Sequence, residues 1–499
     1  EMGGDTIETG EKILDDGSIG QSNFDQTEAM LPTPSDKTDW KSIYLAGSCA
    51  FIQATQFAIF FTSMYPYILT LEHNVTQTSF GIVVAMYSVS QAIFSPVFGF
   101  WSNRIGQVRF PLIVGFIVMA FGNITYLSLQ YLSSNHLYVM MLARLIAGGG
   151  TGNMSLLRAY ASTASTSKDR SRAIACVSGG IALGTMMGPG LQLLFSPLGE
   201  NGINILGLNI SIYTSPALFC LILNVTGLLI VKLAFVEKYI INHGKNIVQD
   251  EENGEKKIKK LASPDFIAIL LCIITRFSQI FLNTTIESIG SAYTMMMFGL
   301  EKEESVSINA GVHTVAGSIA AFMFICFIFT GVRRYMKNRV FTFISLSIPL
   351  VWLIATYPYK FYSDHVQLMT NGSNANCDTE KYSWCTDLTK VNEYVYYIGF
   401  IMVFGVAFSF MNITVTTLFS KVIGPRPQGT YQGVYQMAGS FGRMLAPLLM
   451  SYVYTLYGPS IPWLILIVNL VVLISAWIIL RVRMVPFEKY ETKKIEPLN

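Results

Sequence analysis

Ser178-Gly-Gly-Ile-Ala-Leu-Gly184-Thr-Met-Met-Gly188-Pro189 is the stretch that most constrains the architecture of this chain, because its last six residues return in related form as Gly442-Arg443-Met-Leu-Ala446-Pro447. Both copies read glycine, any residue, methionine, an apolar residue, a small residue and proline. Small residues allow helix backbones to approach closely in a membrane, and proline bends a helix there. Each copy occupies the same place in its half of the chain. We therefore predict a parallel internal repeat, which in membrane transporters surrounds a central pathway.

Twelve segments of the chain are long and apolar enough to cross a bilayer, which takes about 20 residues of helix. Hydrophobic residues make up 52% of the 499 residues and charged residues only 13%, whereas a soluble domain carries about 25% charge. The sequence predicts an all-α membrane protein with twelve transmembrane helices in two six-helix halves. The predicted spans are residues 43–69, 80–101, 110–132, 137–162, 173–194, 212–235, 266–298, 306–331, 340–357, 394–420, 432–457 and 462–480.

A charged break divides the chain into its two halves. Residues 236–263 are rich in Lys, Glu, Asn and Gly and predict a cytoplasmic linker between an N-terminal half, residues 40–235, and a C-terminal half, residues 264–481. Residues 1–39 are acidic, polar and without an apolar core, so we expect a disordered cytoplasmic tail rather than a cleaved signal peptide. Residues 482–499 predict a second cytoplasmic tail.

Lysine and arginine cluster in every second loop, and such loops face the cytoplasm. If the chain crosses the membrane twelve times, all of these clusters and both termini lie on the cytoplasmic side. The net charge of +3 is too small to predict a nucleic-acid partner. The basic residues are Arg104, Arg109, Lys168, Arg170, Arg172, Arg333, Arg334, Lys337, Arg339, Lys421 and Arg426, followed by Arg481, Arg483, Lys493 and Lys494 in the C-terminal tail.

The opposite loops carry features of a lumenal or extracellular space. Glycosylation sequons begin at Asn74, Asn209 and Asn371, and glycosylation can use them only on that side. Cys377 and Cys385 lie in the long loop before the tenth span, where a structural disulfide and two free thiols are both open to them. We expect the disulfide, because this side permits one.

The loop after the second span resembles the signature of the major facilitator superfamily. It reads Gly99-Phe-Trp-Ser-Asn103-Arg104-Ile-Gly106-Gln-Val-Arg109, with Asn103 where the family usually has aspartate, which weakens a charge-relay role but keeps the turn. The fourth span, Arg144-Leu-Ile-Ala-Gly148-Gly-Gly150-Thr-Gly152-Asn153, is similar to a second family motif. The resemblance implies the major facilitator fold and gating or conformational roles for Gly99, Asn103, Arg104, Gly106, Gly184, Gly188, Pro189 and Pro447.

A narrower resemblance is to the lysosomal branch of major facilitator superfamily domain-containing protein 8, associated with neuronal ceroid lipofuscinosis. The residues on which this resemblance rests are Ser90-Gln-Ala-Ile-Phe-Ser-Pro96-Val-Phe-Gly99-Phe-Trp-Ser-Asn103, Arg158-Ala-Tyr160, Lys421-Val-Ile-Gly-Pro-Arg-Pro-Gln-Gly429, Glu287, Arg443 and Trp384-Cys385 with Cys377. The resemblance implies a lysosomal or endosomal membrane, with the plasma membrane as the alternative.

Charged side chains inside apolar spans are candidate functional residues, because a membrane interior disfavours charge. Helical spacing sets Arg276, Gln279, Asn283 and Glu287 on one stripe of the seventh span, and Arg144 to Arg158 on one stripe of the fourth. The family resemblance implies that spans 1, 4, 7 and 10 line a central cavity. The candidate substrate and coupling pathway comprises Glu287, Arg144, Arg276, Asn283, Gln279, Gln53, Gln56, Arg158 and Arg443.

Each of these residues also has a structural alternative. Arg443 could tie helices together, Arg158 could extend to the membrane surface, and Arg144 could bond backbone carbonyls. Glu287 could be a static partner of Arg144 or Arg276. Threading places Arg144 and Glu287 in the non-cytoplasmic half of the membrane, where we expect them to approach each other. The glycines of the fourth span are expected to serve packing.

Arginines outnumber the single glutamate on this pathway, which favours a small anionic solute over a cation. Glu287 is a carboxylate in a low-dielectric site, and such a group can serve as a reversible proton carrier. The sequence thus predicts a secondary-active or facilitative carrier, with a channel-like anion (chloride) conductance as the alternative and a non-transporting scaffold disfavoured for want of a soluble domain. It shows no nucleotide-binding or hydrolytic motif, so we expect no enzyme, cofactor or metal. The expected partners are the solute, protons and the lipid bilayer, and the expected state is a monomer.

Overall fold

The computed structural model describes residues 37–60, 63–72, 77–199, 201–205, 208–240, 247–252, 255–260, 263–300, 302–330, 337–362, 364–368, 377 and 382–487. Within these residues the protein is a helical bundle, which confirms the predicted fold class. The sequons at Asn74 and Asn371, residues 1–36 of the predicted N-terminal tail and residues 488–499 lie outside the described residues.

The helices are numbered α1 to α12 after the predicted spans that they form, and letters mark spans made of two helices. The first half contains α1a Trp40–Ala58, α1b Met64–Leu71, α2 Gln77–Ile105, α3 Arg109–Leu127, α4a His136–Thr151, α4b Met154–Thr163, α5 Arg170–Leu193 and α6 Ser215–Leu229. The second half contains α7 Phe266–Phe298, α8 Lys302–Phe329, α9 Asn338–Ala355, α10a Glu393–Ile401, α10b Phe408–Ile423, α11 Gly429–Tyr457 and α12 Ser460–Ile479.

The twelve predicted spans differ in continuity. Eight stretches of the described part are individually long and apolar enough to cross a membrane, and α5, bent by 41° at Pro189, makes a ninth. The first and fourth spans are each divided, since α1a ends at Ala58 and α4a at Thr151. The helix α11 is continuous, but its buried face carries Gln432, Gln436 and Ser440. The predicted spans are therefore helical in their described residues. Fewer than twelve qualify as single spans because some helices are broken and α11 is polar on its buried face.

Within each half, glycines bring two helix backbones into close contact, and the helix pairs of the two halves are equivalent. A Cβ atom on Gly184 of α5 would lie 2.4 Å from the carbonyl oxygen of Phe51 in α1a, and one on Gly188 would lie 2.5 Å from Ala58 Cβ. In the second half, a Cβ atom on Gly442 of α11 would lie 2.9 Å from the carbonyl oxygen of Phe277 in α7. The α1–α5 pair and the α7–α11 pair thus use the two copies of the repeated stretch in the same way, while Pro447 lies inside α11.

The halves meet along a seam between α2 and α11, at the end of the bundle that carries the basic loops, here called the basic face. A Cβ atom on Gly99 would lie 2.3 Å from the carbonyl oxygen of Gly429. The Asn103 amide donates to Thr430 Oγ1 at 2.9 Å and accepts from the Gly429 backbone N–H at 3.0 Å. An asparagine can give and accept in this way, whereas an ionised aspartate can only accept. Asn103 therefore bonds the two halves together.

The turn after this seam holds the remaining residues of the signature loop. Gly106 has a φ of +68°, a left-handed conformation that favours glycine. Arg104 is exposed at the end of α2. A second seam joins α5 to α8, where Phe324 packs against Gly179 and Met186 against Gly317.

The connecting segments add two short antiparallel hairpins and a disulfide. Strands β1 Ile203–Ile205 and β2 Leu208–Ile210 pair between α5 and α6, and β3 Ile247–Glu252 pairs with β4 Glu255–Lys260 inside the predicted linker. Asn209 lies half-buried in β2. Cys377 and Cys385 form a disulfide with Cα atoms 5.7 Å apart. The same loop is fastened to α11 by Trp384 Nε1, which donates to the Thr455 carbonyl oxygen at 3.2 Å.

We predict that Gly184→Ala destabilises the bundle, whereas Gly81→Ala does not. The added methyl group at position 184 meets the Phe51 backbone, while nothing lies within 4 Å of a Cβ atom on Gly81. Overpacking of this kind costs about 1–3 kcal/mol, which thermal unfolding of the purified variants in detergent would show as a lower midpoint for Gly184→Ala. Equal midpoints for the two variants would contradict the packing described here.

Candidate functional site

The polar stripe predicted on α7 contains two hydrogen-bonded pairs of side chains. Arg276 Nη1 donates to Gln279 Oε1 at 3.1 Å, and Asn283 Nδ2 donates to Glu287 Oε1 at 2.8 Å. Arg276 Nη1 also donates to Asn412 Oδ1 of α10b at 2.7 Å. Because Arg276 is buried, these amide oxygens replace the water that its guanidinium would otherwise bind. No acid takes part in these bonds, so the positive charge is retained.

A second group of cations lies against aromatic rings. The guanidinium carbon of Arg144 lies 4.7 Å from the Tyr87 ring centroid and 5.2 Å from that of Phe60. Arg443 lies 4.5 Å from the Phe57 ring, which itself lies 4.9 Å from the Tyr87 ring. Cation–π contacts of this kind hold a charge without neutralising it. The row Arg443, Phe57, Tyr87, Arg144 therefore connects α11 of the second half to α1, α2 and α4 of the first.

Within the described residues Glu287 makes its hydrogen bond with Asn283 and forms no ion pair, and Arg443 is the arginine within its electrostatic range. The expected approach of Arg144 to Glu287 stays a prediction. The Glu287 carboxylate interacts electrostatically with Arg443, while Arg144 has its interactions with Tyr87, Tyr126 and Cys220. The Glu287 side chain is exposed although it lies in the middle of a membrane span. Since the arginine within its electrostatic range belongs to α11, which packs against α7, we infer that it faces the interior of the bundle rather than lipid.

The predicted stripe on α4 faces neighbouring helices rather than an open cavity. A Cβ atom on Gly148 would meet the Tyr87 backbone of α2 at 2.2 Å, as expected of a packing glycine. Thr151 Oγ1 accepts from Gln91 Nε2 at 3.3 Å, and Gln91 Oε1 accepts from Ser440 of α11 at 2.7 Å. Arg158 is buried and donates to Gln436 of α11. Arg158 thus bonds the two halves to each other instead of reaching the membrane surface.

The two glutamines predicted on the first span differ in their surroundings. Gln56 joins three helices: its Nε2 donates to Asn224 Oδ1 of α6 at 2.7 Å, and its Oε1 accepts from Asn224 Nδ2 at 3.0 Å and from Asn123 Nδ2 of α3 at 3.2 Å. The structure therefore separates Gln56 from the arginines and gives it a packing role. Gln53 is fully buried, and neither atom of its amide has a hydrogen-bond partner in the described part.

Arg144 has unused hydrogen-bond donors. Its Nε and Nη2 atoms are enclosed and make no hydrogen bond within the described residues. These two nitrogens share one edge of the guanidinium, whose parallel N–H groups match the two oxygens of a carboxylate or phosphate. Unpaired buried donors cost free energy in this conformation. A bound anion would remove that cost once motion of the helices opened the edge to it.

Four residues of the site were not predicted from the sequence: Asn412, Gln91, Tyr87 and Tyr435. Asn412 lies in the apolar tenth span, where a polar residue was itself a signal. Gln91 had the same signal in the second span. Tyr87 and Tyr435, whose rings lie beside Arg144 and Arg276, gave none, because tyrosine is common in membrane spans.

Comparison with known proteins gives consistent matches. Residues 46–447 match the sequence profile of the Major Facilitator Superfamily. The chain is 28% identical over 476 residues to major facilitator superfamily domain-containing protein 8 of Xenopus laevis, covering 89% of this chain and 90% of that protein. It is 25% identical over 256 residues to multidrug resistance protein 2 of Bacillus subtilis (strain 168), covering 50% and 58%.

Two solved structures share the fold over almost their whole length. The human organic anion transporter MFSD10 (TETRAN) superposes with a TM-score of 0.59 at 14% identity, covering 87% of this chain and 98% of that one. The transporter FucP in the outward conformation superposes with a TM-score of 0.60 at 11% identity, covering 88% and 98%. Identities this low establish the architecture alone.

We predict opposite stability effects for the two glutamines of α1a. Gln56→Leu leaves Asn123 and Asn224 without their partner, and such a loss costs about 1–3 kcal/mol. Gln53→Leu removes an unpaired buried amide, so the stability stays equal or rises. Thermal unfolding of both purified variants measures the difference, and a midpoint for Gln56→Leu at or above that of Gln53→Leu would refute the assignment of Gln56 to packing.

Proposed function

The chain belongs to the major facilitator superfamily, a family of transporters rather than enzymes, and from that premise we propose that its solute is a small anion carried by alternating access. The observation that carries the proposal is the surplus of positive charge at the centre of the bundle. Arg144 and Arg276 lie inside the spans, Arg443 is within electrostatic range of Arg276, and Glu287 is the carboxylate within range of Arg443. An anion entering this region would balance the remaining charge.

The arginines form two groups, to which we assign different roles. Arg276 and Arg158 are bonded to amide side chains, so they set the local potential and hold helices in place. Arg144 retains a free donor edge in the described part, and Arg443 lies on an aromatic ring beside Glu287. We assign direct contact with the solute to Arg144 and Arg443.

The conformation supports alternating access in one further respect. The halves are bonded to each other at the basic face, through Asn103, Thr430 and Gly429, while Glu287 is exposed deeper in the bundle. We propose that transport opens the α2–α11 seam and encloses the region around Glu287. The weak neutral hydrogen bonds of the seam, about 0.5–1.5 kcal/mol each, suit a contact that must break in each cycle.

We further propose that Glu287 couples transport to protons. In its ionised form the carboxylate attracts Arg443, and in its protonated form it releases that arginine to a solute anion. Proton uptake and anion binding would then favour each other.

The membrane and orientation belong to the same proposal. The relationship to major facilitator superfamily domain-containing protein 8 favours a lysosomal or endosomal membrane, with the plasma membrane as the alternative. The basic face and both termini are assigned to the cytoplasm. The disulfide-bearing loop then faces the lumen, as do Asn74, Asn209 and Asn371, for which we propose glycosylation.

Uptake by purified protein in proteoliposomes tests the charge preference. We predict saturable uptake from a panel of small carboxylates and phosphates, and little uptake of neutral analogues of the same size. Arg144→Gln should raise the half-saturating concentration about tenfold or more, since it removes charge-assisted hydrogen bonds. Arg481→Gln, at an exposed site on the basic face, is the matched control. Absence of flux for every solute in well-folded protein would end the transporter assignment.

Electrical recording from the same protein separates the carrier from a channel-like anion conductance. A carrier gives small currents that saturate with solute concentration, and steady currents far above carrier turnover would favour the channel instead.

A pH gradient tests the role of Glu287. We predict that uptake by the wild-type protein rises when the compartment that supplies the solute is acidified, and that Glu287→Gln abolishes this response while solute binding persists. The glutamine keeps the bond with Asn283 but carries no exchangeable charge. Asn283→Ala, which leaves the carboxylate in place, should retain the pH response. A pH response that survives Glu287→Gln would assign coupling elsewhere.

A further inference from the structure

A second candidate binding site lies on the basic face, apart from the central arginines. The two halves enclose a cavity of about 180 Å³ there. The first half contributes Ser165, Ser167 and Arg170, at and before the start of α5, and the second half contributes Lys421 and Pro425, at and after the end of α10b. A cavity of this size admits a group as large as a phosphate together with water.

The walls of this cavity are held in place by specific contacts. Gly424, at a φ of +78°, turns the chain after α10b, and the Phe487 ring packs against it, 2.7 Å from the position of a Cβ atom. The Arg426 guanidinium carbon lies 4.5 Å from the centroid of that ring, and Arg426 donates to the Ile423 carbonyl oxygen at 2.6 Å. The cavity is therefore a defined feature of the fold rather than a gap between loose loops.

The start of the interdomain linker closes the cavity on the side of the first half. Ile240 lines the cavity, and its backbone N–H donates to the Thr163 carbonyl oxygen of α4b at 3.1 Å. Glu237 accepts from the Val108 backbone N–H at 2.9 Å, which fastens the same segment near the start of α3. Lining residues thus come from both halves, from the linker and from the segment after α12.

The chemistry of the lining favours an anion with several oxygens. Arg170 is buried and Lys421 half-buried, and Ser165 and Ser167 add hydroxyl groups. The lining residues that the structure describes include no carboxylate. Arg170 and Lys421 also have other interactions, but an arginine carries five N–H donors and a lysine three. A phosphate monoester, with its charge and three terminal oxygens, matches this set of donors.

We propose that this cavity binds a phosphate monoester, either a soluble compound or the headgroup of a phosphorylated lipid, and that the bound phosphate stabilises the conformation sealed at the basic face. Its ligands come from both halves, so the site is complete only while the halves are together. A ligand that binds one conformation more tightly shifts the equilibrium towards it. The site would therefore regulate the cycle, whatever solute the central pathway carries.

Two probes distinguish the sources of the phosphate. The first is inositol 1,4,5-trisphosphate added to the protein in detergent, and the second is phosphatidylinositol 4-phosphate in phosphatidylcholine nanodiscs. We expect one or both to raise the thermal unfolding midpoint and to bind saturably, above the effect of sulfate at equal ionic strength. Binding of the first identifies a soluble ligand, and binding of the second alone identifies a lipid headgroup.

Matched variants locate the site. Arg170→Gln and Lys421→Gln should each weaken binding of the probe about tenfold or more, because each removes a charge-assisted contact. Arg481→Gln removes the same charge from the basic face outside the cavity lining and should bind as the wild type does. Lys421 is only half-buried, so its variant remains informative where Arg170→Gln fails to fold. No stabilisation by either probe, or wild-type binding in the Lys421 variant, would overturn the proposal.

Cross-linking across the seam tests the conformational part. Cysteines placed at Asn103 and Thr430, whose side chains are bonded in the sealed form, should form a disulfide faster when the probe is bound. An unchanged or slower rate with the probe at saturation would contradict stabilisation of this conformation. Neither measurement uses transport, so failure here leaves the proposed anion transport untouched, and loss of that proposal leaves this one standing.

Discussion

The close approach of helix backbones at glycine is the contact on which the rest of this structure depends. Lipid tails are as apolar as leucine, so membrane helices gain little from hydrophobic burial against each other and associate through tight packing instead. Gly184 and Gly188 bring α5 onto α1, Gly442 brings α11 onto α7, and Gly99 lets α11 touch α2. The first two contacts build each half, and the third joins the halves. The position of each arginine inside the bundle follows from these three contacts.

Four arginines inside the bundle form no ion pair in the described part of the chain: Arg144, Arg158, Arg276 and the half-buried Arg443. Arg276 is held by Gln279 and Asn412, Arg158 by Gln436, and Arg144 and Arg443 by aromatic rings. Amide oxygens and ring faces satisfy a guanidinium but leave its charge in place, whereas a carboxylate partner would cancel it. A positive interior surrounded by lipid attracts anions from either side of the membrane. This arrangement joins the packing of the helices to the solute class that we propose.

The sequence predicted the fold class, the six-plus-six division and the stripe on α7, because these depend on composition and on the period of a single helix. The expected approach of Arg144 to Glu287 stays a prediction, since such a contact depends on how α4, α7 and α11 are rotated about their own axes. Spacing put Gln53 and Gln56 on one face of α1a, but only the packed neighbours show that Gln56 bonds α3 and α6. The hydrogen bonds of Asn103 and Arg158 to α11 could likewise not be predicted from the sequence, because their partners lie about 300 residues away along the chain.

The row Arg443, Phe57, Tyr87, Arg144 has one consequence for energetics under a membrane voltage. In the proposed cycle Arg443 would move with the second half and Arg144 with the first, so rocking of the halves would displace positive charge along the membrane normal. Each elementary charge that crosses the whole field exchanges about 2.3 kcal/mol per 100 mV. A partial displacement exchanges a proportional share. In that cycle the potential across the membrane would enter the balance between the two proposed conformations, in addition to the concentrations of solute and protons.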